Sequence, residues 1–223
     1  MTWIKICGMT NLEDALVAVD AGADAVGFVF YEKSPRKISV DAAREICSKL
    51  PESVDKIGVF VNELPEKVSS IADEAGLTAV QFHGDEYQSP ERYSVNRDAF
   101  FCLPASFVKR WNQGNVFVSF SGFPNLAGVL LDSGTREDRG GTGKTFAWGE
   151  AHGFVRTTGT LHPVVIAGGL TPANVGWAVE FLKPWGVDVV SGVEANPGKK
   201  DPGKVRAFVK AVRDAERLSV RGG

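Results

Sequence analysis

The sequence has few cysteines, no large excess of charge and no long apolar run. Its 223 residues include three cysteines, Cys7, Cys47 and Cys102, an odd number whose wide spacing fits neither a disulfide framework nor a metal-ligand motif. The 25 basic and 27 acidic side chains leave a net charge of −2, without a basic cluster interleaved with aromatics. Nucleic acid is therefore not an expected partner, and a reducing cytoplasm is the expected location.

The apolar stretches are too short to cross a membrane. The longest, such as 25–31 and 164–167, fall well below the roughly 18 residues that a span needs. The chain enters strand-like sequence at once, without the basic and apolar regions of an export signal. We expect a soluble protein that does not contact membranes.

Short apolar runs alternate with amphipathic segments along the whole chain. Eight runs have the composition of strands covered on both faces, namely 3–7, 24–30, 56–61, 78–82, 99–103, 127–132, 163–167 and 187–191. Between them, apolar residues recur at helical spacing. With about 28 residues per strand–helix unit and no flexible linker, the pattern predicts one (β/α)8 TIM barrel that spans 1–223 as a single domain. An open, doubly wound sheet is the alternative.

Local signals locate two helix starts. Thr10 with Glu13 forms a capping-box pattern for the first helix, and Thr171 before Pro172 predicts the start of the seventh. The least regular stretch is 84–126, where a short helix opens at 89–90. There the fifth strand is expected to be brief and the fifth helix truncated.

Small residues follow the sixth, seventh and eighth strands, at the end of a barrel where active sites lie. They let backbone N–H groups approach an anion closely, although any one cluster is equally consistent with a tight turn. Three neighbouring clusters predict a phosphorylated small-molecule substrate. The phosphate-binding candidates are Gly141, Thr142, Gly143, Gly168, Gly169, Ser191 and Gly192. A nucleotide-binding P-loop is excluded, because Asp138 stands where that motif needs glycine.

Cys7 and Asp132 end the first and sixth strands, on nearly opposite sides of the barrel mouth. One can give a proton while the other takes one, which predicts an acid–base pair. The simpler alternatives are a small buried thiol and a carboxylate that caps a loop. Lys5 shares the strand parity of Cys7, so an inward Cys7 also buries an ammonium group that needs a partner.

Asp188, on the neighbouring eighth strand, is the predicted partner of Lys5. Whether it also reaches a substrate hydroxyl is left open. The positive charge of Lys5 is expected to lower the pKa of the Cys7 thiol from its ordinary value of about 8.5.

Arg36 follows the second strand and could clamp a carboxylate through two parallel hydrogen bonds, with a surface salt bridge as the alternative. His83, after the fourth strand, is expected to hold a loop rather than to react. His152 and His162 lack the spacing of metal ligands, and no metal ion is expected.

Several motifs together resemble the phosphoribosylanthranilate isomerase family along nearly the whole chain. They are Lys5-Ile6-Cys7-Gly8-Met9-Thr10, Ser34-Pro35-Arg36, Gln81-Phe82-His83-Gly84-Asp85, Leu131-Asp132-Ser133, Gly140-Gly141-Thr142-Gly143, Ala167-Gly168-Gly169-Leu170, and Ser191-Gly192-Val193-Glu194 with Pro197-Gly198-Lys199-Lys200-Asp201. The strand-one cysteine motif and the closing segments are the most specific. The chain departs from the family pattern over 86–126, where Phe100-Phe101-Cys102-Leu103 stands for the fifth strand.

The resemblance implies the Amadori rearrangement of N-(5-phosphoribosyl)anthranilate in tryptophan biosynthesis, with no cofactor and no metal. It implies that Cys7 is the general base at C2 of the sugar and that Asp132 is the general acid at the ring oxygen. It also implies that Arg36 binds the anthranilate carboxylate and that the glycine-rich loops hold the phosphate.

Two other functions compete with this one. A related histidine-pathway sugar isomerase performs the same rearrangement on a substrate with two phosphates, but that family is expected to have an aspartate where this chain has Cys7. A catalytically inactive phosphosugar-binding barrel is the second alternative, and it would tend to lose Cys7 or Asp132. A monomer or a homodimer, and a weak association with other tryptophan-pathway enzymes, are left open.

Overall fold

Eight parallel strands close into one barrel, in the order β1 to β8, with β8 hydrogen-bonded to β1. The structure, a computed structural model, describes residues 1–114, 123, 125–133 and 148–221. The strands are β1 Trp3–Cys7, β2 Ala25–Val29, β3 Asp55–Phe60, β4 Ala79–Phe82, β5 Asp98–Pro104, β6 Leu126–Asp132, β7 Val164–Ile166 and β8 Gly186–Val189. The predicted barrel is confirmed, and closure excludes the open doubly wound sheet.

Helices surround the barrel. Those in the described part of the chain are α1 Leu12–Asp20, α2 Val40–Cys47, α3 Pro65–Ala75, α4 Ala105–Asn112, α5 Trp148–Thr158, α6 Val175–Leu182 and α7 Pro202–Arg221. Two 3-10 turns, Glu86–Gln88 and Pro90–Tyr93, stand between β4 and β5 in place of an α-helix. After β8 come a 3-10 turn, Ser191–Val193, and a short antiparallel pair formed by β9 Glu194–Asn196 and β10 Lys199–Lys200.

The irregular stretch differs in part from its prediction. β5 is not brief, because it has seven residues and runs directly into α4. The helix that follows β5 is α4, and its eight residues agree with the prediction that the helix of the fifth unit is shortened. Within the same stretch, the apolar run 116–120 also has a strand-like composition, and it lies outside the described residues.

The helix starts predicted from threonines are wrong. α1 is capped by Asn11, whose side chain accepts the backbone N–H of Asp14, whereas Thr10 donates its hydroxyl to the Gly198 carbonyl. α6 begins at Val175 after Asn174, because the segment from Thr171 first forms a turn in which Asn174 accepts the Thr171 N–H. At α1 the asparagine side chain is better placed than Thr10 for an exposed N–H group of the first turn, whereas at α6 Asn174 closes the turn before the helix and its side chain accepts no N–H group of the helix itself.

Apolar side chains form two separate cores, as in a closed barrel wrapped by helices. The larger core lies between strands and helices, and the smaller fills the barrel interior with residues such as Ile57, Phe100, Leu130 and Val165. Above this interior core lie the buried polar side chains of Lys5, Gln81, Asp132 and Asp188, at the mouth of the barrel. None of the helices within the described ranges is long and apolar enough to cross a membrane.

Candidate active site

A cavity of about 520 Å³ opens at the carboxyl ends of the strands. Its lining is Cys7, Val29, Tyr31, Ser34, Arg36, Val59, Val61, Gln81, His83, Asp132, Asp188 and Val190. Cys7 and Asp132 come from strands three places apart around the barrel. The structure thus brings the predicted acid–base candidates, Arg36 and His83 to one cavity.

A second cavity, of about 270 Å³, adjoins the first on the side of β7 and β8. Gly168, Gly169, Ser191 and Gly192 line it, and it shares Asp132 and other residues with the larger cavity. Gly168 has a φ of +79°, and a Cβ there would lie 2.1 Å from Ser133 Oγ, so only glycine fits. Three other phosphate-binding candidates, Gly141, Thr142 and Gly143, lie outside the described residues.

Lys5 and Asp188 form a buried ion pair between β1 and β8. The two residues are register neighbours, and Lys5 Nζ lies 3.1 Å from Asp188 Oδ2. Burial by itself would lower the pKa of Lys5, but the attraction of Asp188 and Cys7 outweighs it and the pKa is raised. Lys5 is therefore charged at neutral pH. The other oxygen, Asp188 Oδ1, is buried with no hydrogen-bond partner among the residues that the structure describes.

Cys7 projects beside Gly27, its register neighbour on β2. A Cβ on Gly27 would lie 2.4 Å from Cys7 Sγ, so the absent side chain provides the space for the thiol. The predicted lowering of the Cys7 pKa is wrong. Burial raises the pKa of the thiol, and the attraction of Lys5 offsets only part of that rise.

Arg36 is hydrogen-bonded to a carboxylate of the protein itself. Its Nε donates to Glu194 Oε1 over 2.9 Å, and its Nη2 donates to Oε2 over 2.7 Å. The two parallel hydrogen bonds expected of Arg36 are therefore made to Glu194, in a buried pair rather than a surface salt bridge. A guanidinium has five N–H bonds, so three are not used by Glu194.

Lys200 joins the Arg36–Glu194 pair to the backbone of the catalytic candidate. Its Nζ lies 3.2 Å from Glu194 Oε1 and donates to the Cys7 carbonyl over 2.6 Å. Burial lowers the pKa of Lys200. The pKa of Glu194 is also lowered, because the hydrogen bond from Arg36 and the charges of Lys200 and Arg36 together outweigh the effect of burial, which is the largest single one and acts to raise it.

His83 lies beside Asp132 rather than only in a loop. Its Nε2 is 3.6 Å from Asp132 Oδ2 and 3.7 Å from Cys102 Sγ, and its Nδ1 is 2.8 Å from Gln81 Nε2. The ligand atoms of His83, Cys102 and Asp132 all lie within 4.8 Å of one another. The three side chains are close enough together to share a metal ion, although the residue types alone gave no metal motif.

Sequence reasoning assigned no role to Gln81, Cys102, Glu194 or Lys200. Two signals could have found the first pair. Gln81 is a polar residue inside an apolar strand with the parity of His83, and Cys102 is the departure from the family pattern on strand five. Glu194 and Lys200 follow β8, and nothing in their spacing shows that Glu194 contacts both Arg36 and Lys200.

The comparisons with known proteins agree with one another. A family model described as "PRAI: N-(5'phosphoribosyl)anthranilate (PRA) isomerase" matches residues 4–211. The N-(5'-phosphoribosyl)anthranilate isomerase of Pseudomonas aeruginosa (strain LESB58) is 46% identical over 214 residues, 96% of each chain.

Solved structures give the same result. The crystal structure of phosphoribosyl anthranilate isomerase from Thermotoga maritima is 41% identical, with a TM-score of 0.83 over 96% of this chain and 100% of that one. A crystal structure of phosphoribosyl anthranilate isomerase in complex with reduced 1-(o-carboxyphenylamino)-1-deoxyribulose 5-phosphate is 39% identical, with a TM-score of 0.80 and the same coverage.

Proposed function

Because the chain belongs to the phosphoribosylanthranilate isomerase family and is an isomerase of N-(5'-phosphoribosyl)anthranilate, we propose that Cys7 and Asp132 are its base and acid. The observation that carries this proposal is that both side chains line one cavity of about 520 Å³ with Arg36. That cavity shares Asp132 and Asp188 with the glycine-lined cavity. A substrate with a carboxylate at one end and a phosphate at the other fits such a divided mouth.

Asp132 starts the reaction as the proton donor. It protonates the ring oxygen of the sugar, the bond from that oxygen to C1 breaks, and the anthranilate nitrogen supplies the electron pair that forms the Schiff base. Cys7, as thiolate, then removes the proton from C2, and the electrons of the C–H bond move toward nitrogen to give an enol amine. Tautomerisation yields the 1-deoxyribulose 5-phosphate product.

Two ammonium groups stabilise the thiolate form of Cys7. Burial raises the pKa of Cys7, so the residue is a thiol at rest and gives its proton to solvent before the base step, while the charges of Lys5 and Lys200 act to lower that pKa. Both ammonium groups are buried, so water screens them little. They stabilise the negative charge that the base step requires.

Arg36 binds the anthranilate carboxylate through the N–H bonds that Glu194 does not use. Glu194 holds the guanidinium plane in place, so the substrate meets a donor that is already oriented. Asp188 Oδ1, buried and without a partner among the described residues, accepts a hydrogen bond from a sugar hydroxyl.

The phosphate lies in the smaller cavity. None of the described residues that line it is Lys or Arg, so backbone N–H groups beside Gly168, Gly169, Ser191 and Gly192 supply the donors. The loop with Gly141, Thr142 and Gly143 is proposed to complete this site. The glycines provide the close approach that an anion needs.

Neither alternative function is favoured. The family model and the relatives are those of the tryptophan-pathway isomerase, and the chain has both Cys7 and Asp132. Cofactor-free and metal-free catalysis, a single domain over 1–223, a cytoplasmic location and a monomeric or dimeric state remain predictions, as does weak association with other enzymes of the pathway.

The experiment that tests the function follows the fluorescence decay of freshly generated phosphoribosylanthranilate. The purified wild-type chain is expected to turn it over and to be much slower on the histidine-pathway substrate. A folded chain that binds the product but turns over neither substrate would support the inactive binding barrel instead.

A further inference from the structure

We propose that Gln81 is a positioning residue that fixes His83 as the tautomer whose Nε2 proton faces Asp132. Its effect on rate rests on the proposed role of Asp132 as the acid, but the tautomer itself does not. Gln81 is buried on β4, two residues before His83, and its side chain lies between Lys5 and His83.

The orientation of the Gln81 amide is fixed by Lys5. Lys5 Nζ lies 2.7 Å from Gln81 Oε1, and a lysine ammonium group can only donate. A reversed amide would place the Gln81 NH2 group against this buried cation. The carbonyl oxygen of Gln81 therefore faces Lys5, and the NH2 group faces His83.

The orientation of Gln81 in turn determines the tautomer of His83. Gln81 Nε2 lies 2.8 Å from His83 Nδ1 and must donate, so Nδ1 is the acceptor and carries no proton. A proton on Nδ1 would set two donors face to face. The imidazole is therefore neutral with its proton on Nε2, the nitrogen that faces Asp132 and Cys102.

This tautomer suits a neighbour of the proton donor. The distance of 3.6 Å from Nε2 to Asp132 Oδ2 is longer than a good hydrogen bond, and such contacts commonly tighten when substrate binds. The N–H then stabilises the carboxylate that Asp132 becomes once its proton has left. The other tautomer would present a lone pair to Asp132, and that lone pair would repel the carboxylate that forms once the Asp132 proton has passed to the substrate.

The same tautomer also decides whether His83, Cys102 and Asp132, which lie close together, are suited to bind a metal ion. A metal ion would need the lone pair of Nε2, and a metal-bound histidine usually donates its other N–H to an acceptor. Gln81 offers Nδ1 a donor instead. The three residues lie close enough together to share a metal ion, but His83 presents a proton, and no lone pair, to the centre of the group.

Nitrogen-15 NMR of the ligand-free wild type tests the tautomer directly. The chain has three histidines, so a His83→Asn variant identifies the signals of His83. We expect Nε2 to show the shift of a protonated ring nitrogen and Nδ1 that of an unprotonated one. The reverse assignment, or an equal mixture, would overturn the inference without any variant of Gln81.

A Gln81→Glu variant tests whether Gln81 is what fixes the tautomer of His83. Its carboxylate can accept from Lys5 with one oxygen and from Nδ1–H of His83 with the other, so the tautomer should reverse. We expect kcat to fall by about tenfold to a hundredfold, a share of what acid–base catalysis contributes, with KM changed little. Gln88→Glu makes the same chemical change at an exposed position and should alter neither the tautomer nor kcat.

The outcomes separate this inference from the proposed function. A wild type that fails to turn over the substrate but shows the expected tautomer retains the inference about Gln81 and refutes the acid–base assignment. An active wild type whose Gln81→Glu variant keeps the original tautomer, or keeps full kcat with a reversed one, refutes the positioning role alone.

Discussion

Arg36 and Glu194 meet through two parallel hydrogen bonds, so the residue assigned to the substrate carboxylate is itself held by a carboxylate of the protein. Arg36 and Glu194 are both largely buried, and Lys200 also contacts Glu194. The pair connects the loop after β2 with the segment after β8. Its geometry makes the position of one guanidinium depend on a residue 158 positions away.

A Glu194→Gln substitution should raise KM more than it lowers kcat, because Arg36 loses its orienting partner while Cys7 and Asp132 remain. Removing one charge from a buried pair should also lower the free energy of unfolding by roughly 3 kcal/mol. Steady-state kinetics and urea unfolding measure the two effects. Glu45→Gln, which removes an exposed pair with Lys49, should change neither. An unchanged KM in the Glu194 variant would contradict the orienting role.

Glu194 also predicts a dependence of stability on pH. Its pKa is lower in the folded chain than its ordinary value of 4.5, so its contribution is present above that value. The contribution is lost as the pH falls through the folded pKa. The stability gap between the wild type and Glu194→Gln should therefore shrink in acid. A gap that widens below pH 4.5 would show that the carboxylate is not the stabilised form.

A Gly27→Ala substitution should displace the Cys7 thiol, since the new Cβ would lie 2.4 Å from Sγ. We expect kcat to fall on the order of a hundredfold, the effect of moving a reacting group by about 1 Å. Gly149→Ala is the matched control, because Gly149 lies in α5 and a Cβ there would meet none of the described residues within 4 Å. It should keep kcat and gain about 0.5–1 kcal/mol of stability. Equal kinetics for both variants would contradict the assigned position of Cys7.

Alkylation by iodoacetamide should report the raised pKa of Cys7. Because burial raises that pKa above 9.0, the rate of modification should increase with pH and reach its midpoint above pH 9.0. Mass spectrometry of the peptides separates Cys7 from Cys47 and Cys102, and a product analogue in the cavity should protect Cys7. A midpoint below about 8.5 would contradict the raised pKa and support the original expectation that the charge of Lys5 outweighs burial.

A Gly168→Ala substitution should weaken binding of the phosphate end of the substrate. The new Cβ would lie 2.1 Å from Ser133 Oγ, and the residue would keep a φ of +79° that alanine disfavours. We expect KM and the inhibition constant of inorganic phosphate to rise at least about tenfold, roughly the loss of one charge-assisted hydrogen bond. Gly76 also has a positive φ, but a Cβ there would meet no residue of the described ranges within 4 Å, so Gly76→Ala should lose stability without changing KM. Similar KM values for the two variants would contradict the proposal that the phosphate binds in this cavity.

The barrel could be predicted from the sequence because burial on both faces of a parallel strand leaves a direct trace. Apolar runs such as 3–7 and 127–132 fall within a residue or so of β1 and β6. The Lys5–Asp188 contact was also predictable, since strand parity and the adjacency of the first and last strands imply it. The starts of the helices were harder to predict, because Asn11 competes with Thr10 for the same N–H groups.

The features of the site that could not be predicted depend on which side chains meet across the mouth of the barrel. The effect of Lys5 on Cys7 was predicted from charge alone, whereas the pKa reflects burial first. The partner of Arg36 lies on another loop, and the link from Lys5 through Gln81 to His83 joins β1 to β4 across the barrel. No local pattern in the chain encodes those distances.

The most direct test of the central claim compares the single-turnover rates of the wild type, Cys7→Ser and Asp132→Asn with freshly generated phosphoribosylanthranilate. If Cys7 is the base and Asp132 the acid, each variant loses about 100-fold to 10,000-fold in rate and still binds a product analogue as the wild type does. If a variant keeps the wild-type rate, the substituted residue is not needed for the chemical step, and the assignment is contradicted.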